Sequence, residues 1–156
     1  MSEAPVFRRA RADEGGLLRE ITREAYAKWV GPVGREPRPM VADHDAAVRE
    51  HLVEFVEMDG AVVAAVELVP QDGYLLVENI AVRIAAQRRG LGDTILERAE
   101  QVARGLKLPV LRLYTHSRMG TNVDWYLKRG YAIEREEPFG NGNRVHFVKT
   151  LPVQVA

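Results

Sequence analysis

Apolar and polar positions change period several times along this 156-residue chain, and each change marks an element. Val6–Arg9 reads as a short first strand. Asp13 stands where a helix N-cap belongs, with Glu14 next to it near the positive end of the dipole. Leu17, Ile21, Ala25 and Trp29 then recur every four residues, one stripe of a helix. Gly31 and Pro32 stop it, and Pro32, Pro37 and Pro39 make residues 31–40 a loop. Asp43 is placed to cap a short second helix running to about Glu50.

Residues 51–58 alternate, Asp59-Gly60 is a tight-turn signal, and residues 61–69 return as the partner strand. A turn at Pro70–Gly73 leads into an apolar strand, Tyr74–Val82. Leu91, Ile95, Ala99, Val102 and Leu106 give the next helix its buried stripe. A strand over 110–115, a helix over 121–128 and strands over 131–136 and 144–151 complete the chain, the last two joined by a hairpin loop at 139–143. The order β-α-α-β-β-β-α-β-α-β-β predicts an α/β sandwich around one mixed, mostly antiparallel sheet, in a single domain over residues 1–156. It departs from the strict βαβ alternation of doubly wound nucleotide-binding folds.

Composition narrows the function classes. Twenty-two basic and 22 acidic side chains cancel, so no global field draws the protein to nucleic acid or to an anionic membrane. Cysteine is absent, which excludes disulfides, thiolate metal sites and a catalytic thiol. No apolar run approaches a membrane span and no apolar signal segment opens the chain, so the expectation is a cytoplasmic protein.

The stretch Gln87-Arg88-Arg89-Gly90-Leu91-Gly92 carries the most chemistry. It follows a strand and opens a helix, so the first helical N–H groups point outward, unpaired and partly positive. Gly90 and Gly92 let the backbone approach a ligand, and Gln87, Arg88 and Arg89 add donors or charge at the rim. The pattern suits a pyrophosphate. It lacks the Gly-Lys-Ser/Thr of a triphosphate loop, and Ile95 stands where a dinucleotide fingerprint has its third glycine.

Gln-x-x-Gly-x-Gly resembles the acetyl-CoA-binding motif of the GCN5-related N-acetyltransferases. Thr121-Asn-Val-Asp-Trp-Tyr-Leu-Lys-Arg-Gly-Tyr131 is similar to the family's second signature, an Asn on a helix four residues before a Tyr, closing in Gly and an aromatic. The likeness covers about residues 75–131 in motif and nearly the whole chain in element order. Pro39-Met40-x-x-Asp43 is similar to a loop of one bacterial branch, with His44 in place of the expected Tyr.

The resemblance implies acetyl-CoA as cosubstrate and a primary amine, on a small molecule or a protein, as acceptor. It implies that the strand before the glycine turn splays from its neighbour. Pantetheine then pairs with the backbone of Ile80, Ala81 and Val82, while Gln87, Arg88, Arg89, Gly90, Leu91, Gly92 and Asp93 hold the phosphates. Tyr126 matches the family's general acid and Asn122 the residue that bonds the pantetheine arm. A homodimer through the C-terminal strands stays open by the same analogy.

Glu78 is the candidate general base, because it lies among apolar strand residues whose desolvation favours an accessible proton affinity. Glu67 and His116 are rivals, His116 because it ends a strand near the reacting centre and imidazole titrates near neutrality. Tyr26, Trp29 and Met40 are candidate walls of the acceptor pocket, on the first helix and the loop after it. His44, His51 and His146 show no ligand spacing, so no metal is expected. With no cysteine, and Ser117 outside any nucleophile elbow, direct attack is favoured over an acyl-enzyme. The alternative is an acyl-CoA sensor of the same fold that performs no chemistry.

Overall fold

The computed structural model describes residues 4–152; residues 1–3 and 153–156 of the expected domain lie outside the described residues. Its strands are β1 (Val6–Arg9), β2 (Leu52–Met58), β3 (Ala61–Gln71), β4 (Tyr74–Val82), β5 (Val110–His116), β6 (Ala132–Phe139) and β7 (Gly142–Thr150). They form one sheet in the order β1-β2-β3-β4-β5-β7-β6. Every pairing is antiparallel except β4 with β5. That parallel pair needs a crossover, and the helix over Leu91–Gly105 supplies it. The predicted mixed sheet and its flanking helices are observed.

The helices are α1 (Gly15–Tyr26), two single turns α2 (Val30–Val33) and α3 (Arg38–Val41), α4 (His44–Glu50), α5 (Leu91–Gly105) and α6 (Gly120–Lys128). One face of the sheet packs on α5 and α6, with Ile95, Leu96, Ala99, Leu111 and Phe147 fully or almost fully buried. The other packs on α1 and α4 through Leu18, Ile21, Ala47, Val48 and Phe55. No helix of the described residues is long and apolar enough to cross a membrane.

Several local expectations shift. The buried stripe of α1 is Leu18, Ile21 and Thr22 rather than the strict four-residue repeat. Buried Thr22 accepts a hydrogen bond from Asn79 of β4 (2.9 Å), so a polar position belongs to the inward face of the helix. The stripe of α5 likewise ends on Ala103, leaving Leu106 exposed beyond the last turn. Residues 31–40 hold α2 and α3 rather than plain loop; Pro37 and Pro39 fix φ values that suit a helix start. Asp43 caps α4 as expected, its side chain accepting from Ala46 N–H at 3.0 Å.

Asp13 does not cap α1. Glu14 takes the N-cap position without capping, since its carboxylate turns inward instead. It accepts two hydrogen bonds from Arg8 of β1, both 2.8 Å, and one from Arg11 N–H at 2.8 Å, and is only 8% exposed. This bidentate pair fastens the start of α1 to the sheet edge. Arg8 holds the carboxyl far down, from its ordinary 4.5 to about 2. A depressed acid lends stability above its unfolded pKa and loses it as pH falls through the folded one. Glu14→Gln is therefore expected to lower stability at pH 7 by about 1–2 kcal/mol after solvent screening at Arg8. Denaturant melts of both proteins should converge between about pH 4.5 and pH 2.

Candidate active site

The register of β4 makes the site. Against β3, Val77 pairs with Leu68 and Asn79 with Glu67, so Glu78 is the extra residue of a β-bulge. The bulge reverses which side chains face which layer. Before it, Leu75 and Val77 lie in the α5 core; after it, Ala81 lies in the α1 core and Ile80 faces α5. At the same point β4 leaves β5. Their pairing runs from Tyr74–Val110 to Val77–Leu113 and stops, although both strands continue. The backbone of residues 78–82 thus carries no ladder to β5, and a cleft of about 550 Å³ opens there.

Glu78 sits at the fork, its side chain 13% exposed. Its Oε1 accepts from the Tyr114 hydroxyl of β5 at 2.9 Å and from Arg38 Nε of α3 at 3.3 Å. Oε2 takes part in neither contact. Glu67, the rival acid, is buried beneath α1 and α4 and bonds His51 Nδ1 at 2.6 Å; burial pushes its pKa up. It does not line the cleft.

Beyond Val82 the chain makes a 3-10 turn, Ile84–Ala86, held to α1 by Glu24, whose carboxylate accepts from Ile84 N–H (2.8 Å) and from Arg83 (3.1 Å). Gln87 is spent on the turn itself, donating to the Val82 carbonyl at 3.0 Å. Arg88 has φ +64, a region that favours glycine, and Gly90 caps α5 at φ +76. The helical bonding of α5 begins with Thr94 N–H to Gly90 O at 3.2 Å, so the N–H groups before it lie ahead of the ladder. Arg88, Gly90, Gly92 and Asp93 line the cleft, as does Gln87. Arg89 points to solvent outside it, and Leu91 is 3% exposed in the core beneath.

Asp93 has its charge matched within the protein. It accepts from Trp125 Nε1 (2.7 Å) and from Arg129 Nε and Nη2 (2.7 and 2.6 Å), and these donors hold its pKa down. Trp125 is thereby laid against Gly92, where a Cβ would stand 2.8 Å from its ring. Gly92 answers to the indole, while at Gly90 a Cβ would meet open space.

Tyr126 lines the cleft at 8% exposure, packed against Trp125, Tyr131 and Phe147 at ring distances of 4.9, 5.9 and 5.4 Å. Burial pushes its phenol pKa well up. Asn122 lines the same wall one turn earlier on α6.

At the other end Tyr26 and Trp29 face the cleft, with Pro37, Arg38 and Pro39 of the α3 region. Tyr26 donates to the Ile80 carbonyl at 3.3 Å. Met40 is 5% exposed and does not line the cleft; its carbonyl accepts from Arg23 at 3.1 Å. Buried His44 donates Nε2–H to the Pro39 carbonyl (2.8 Å) and so pins this wall.

His116 is engaged at both nitrogens. Nδ1 accepts from Arg118 N–H at 3.0 Å, which leaves Nε2 to donate to the Phe139 carbonyl at 2.6 Å. That tautomer has no lone pair left for an acceptor's proton. The ring instead clips the end of β5 to the β6–β7 hairpin. The hairpin tip is also latched to α2, Asn141 N–H donating to the Val33 carbonyl at 2.7 Å.

Arg38, Tyr114, Arg129 and Arg144 line the cleft and escaped the sequence reading. For Tyr114 a signal existed, since Leu111 and Leu113 alternate with Arg112 and Tyr114 along β5. The arginines gave none, because charged residues at those places read as solvated.

The cleft thus lies between a splayed parallel pair and a glycine turn, and residues 18–131 match the model of the "Acetyltransferase (GNAT) family". The chain belongs to that family. A search of curated proteins finds no match. Among solved structures, an IAA acetyltransferase from Bacillus cereus is similar at 18% identity and TM-score 0.72, covering 95% of this chain and 100% of that one. The PaiA N-acetyltransferase of Thermoplasma acidophilum, in complex with coenzyme A, has TM-score 0.75 at 15% identity, over 95% and 99% of the two chains. A GNAT family acetyltransferase from Elizabethkingia anophelis with acetyl-CoA bound has TM-score 0.72 at 13% identity, over 94% and 98%.

The Gly92–Trp125 contact makes a local prediction. Gly92→Ala should displace the indole, destabilising the fold by about 1–3 kcal/mol and shifting Trp125 emission. A thermal melt and a fluorescence spectrum against a Trp29→Phe background read both; an unmoved spectrum would contradict the packing described.

Proposed function

We propose that this protein transfers the acetyl group of acetyl-CoA to a primary amine by direct attack. The observation that carries the reading is the fork at Glu78, where a carboxylate with one free oxygen stands in the same cleft as the α5 N-terminus. Coenzyme A or its acetyl thioester is bound in two of the similar structures.

The residues fit that cosubstrate. Helix N-terminal N–H groups, Arg88 and the open space over Gly90 suit a pyrophosphate. The unladdered backbone around Ile80, Ala81 and Val82 offers a strand edge to an extended pantetheine arm, with Asn122 across the cleft. Acetyl-CoA supplies a thioester carbonyl there. A backbone N–H of the free edge polarises it.

Glu78 Oε2 takes the proton of the incoming ammonium, directly or through water, while Tyr114 and Arg38 fix Oε1. As the C–S bond breaks, Tyr126 gives its hydroxyl proton to the departing sulfur and regains one, through water, from the nitrogen of the new amide; burial keeps the phenol protonated before the transfer. His116 serves as a structural clip, and Glu67 stays outside the reaction.

Calorimetry with acetyl-CoA, CoA, ATP and NAD should give selective binding of the CoA species. Thiol release with an amine panel then reads turnover. Glu78→Gln and Tyr126→Phe are each expected to lower kcat about a hundredfold while CoA affinity holds. Failure to bind any CoA species would sink the cosubstrate, and turnover unaffected by both changes would remove their roles.

A further inference from the structure

Charge inside the cleft is not balanced as it is over the whole chain. Lys28, Arg38, Arg88, Arg129 and Arg144 line it against Glu78 and Asp93. Arg129 is matched by Asp93, and Arg88 belongs to the glycine turn. Arg38 and Arg144 meet at the acceptor end, on two sides of Tyr114. Arg38 shares Glu78 Oε1 with the Tyr114 hydroxyl, while the Arg144 guanidinium lies 5.0 Å over the Tyr114 ring and 4.3 Å over Phe139. Arg35 covers Phe139 as well, at 4.7 Å.

Neither lining arginine has its fork filled. Arg38 touches Glu78 through Nε alone, at a long 3.3 Å, and its side chain is 60% exposed. Arg144 reaches Glu137 only at 3.8 Å, and Glu137 already accepts from His146 at 2.8 Å. A guanidinium held over aromatic rings, its N–H donors not taken up by a close carboxylate, is prepared for a planar anion. A second ammonium would be repelled there.

Resting on the acetyl-transfer reading, we propose that the acceptor is an amine bearing a carboxylate one carbon away, a free α-amino acid, bound through Arg38 and Arg144. The amine then faces Glu78 while the carboxylate takes the arginine forks. Trp29, Val33 and Pro39 supply apolar wall for a side chain.

The test uses L-leucine and L-phenylalanine, each against its carboxamide and its decarboxylated amine, whose basicities bracket that of the acid's own amine. Spermidine is the polycationic control. Calorimetry on CoA-loaded protein is expected to show the acids binding about tenfold tighter than either analogue, with kcat/KM ranking alike and spermidine last. Arg144→Gln and Arg38→Gln should each bring the acid-to-amide ratio close to one, with CoA affinity reporting the fold, and Arg144→Lys should fall between. Equal binding of acid and amide overturns the proposal, as does a ratio that survives both substitutions. Acid-selective binding without thiol release keeps the carboxylate site and removes the transfer reading instead.

Discussion

One inserted residue governs this molecule. With Glu78 unpaired against β3, the side-chain alternation of β4 slips by one and the strand turns away from β5. A ladder that continued to the strand ends would leave no cleft and no free backbone edge, and Glu78 would not stand at a fork. The cores on either side tolerate the slip because each half of β4 presents apolar residues to the layer it meets: Leu75 and Val77 before the bulge, Ile80 and Ala81 after it. The opening in the sheet is therefore built from packing and not from a weak sequence.

Around that opening, the polar contacts divide the cleft into two ends. At the turn, Glu24, Gln87 and the Asp93–Arg129–Trp125 clasp fix the backbone and leave the helix N-terminus facing outward. At the far end, Tyr114 joins Glu78 to two arginines, and His44 and His116 pin the walls through backbone carbonyls. Both histidines donate to main chain, and each ties two segments of the wall together.

The element order was legible because apolar period changes are strong in this chain: the hairpin at Asp59-Gly60, the first turns of the α5 stripe (Leu91, Ile95, Ala99) and the cap at Asp43 stand where the pattern set them. The turn at 87–92 was legible as a turn, since glycines between a strand and a helix mark a change of direction. What stayed hidden is long-range. Asp13 satisfies the rules of a cap, but Glu14 has Arg8 across the sheet edge, and tertiary pairing decided the matter. Gly92 read as room for a ligand and proved to be room for Trp125, 33 residues later in the chain. Met40 pointed inward while its neighbours Arg38 and Pro39 formed the wall. A net charge of zero concealed a cationic cleft, because a sum over the chain discards position.

The latch between α2 and the β6–β7 tip joins two segments more than a hundred positions apart in sequence. Asn141 N–H meets the Val33 carbonyl, and a Cβ on Gly140 would collide with that same carbonyl. This end of the cleft is consequently an arch with one foot in each terminal third of the chain. Neither foot can be lengthened, shortened or transplanted alone. Rebuilding this end of the cleft means exchanging the 31–40 segment and the hairpin tip together, as a matched cassette.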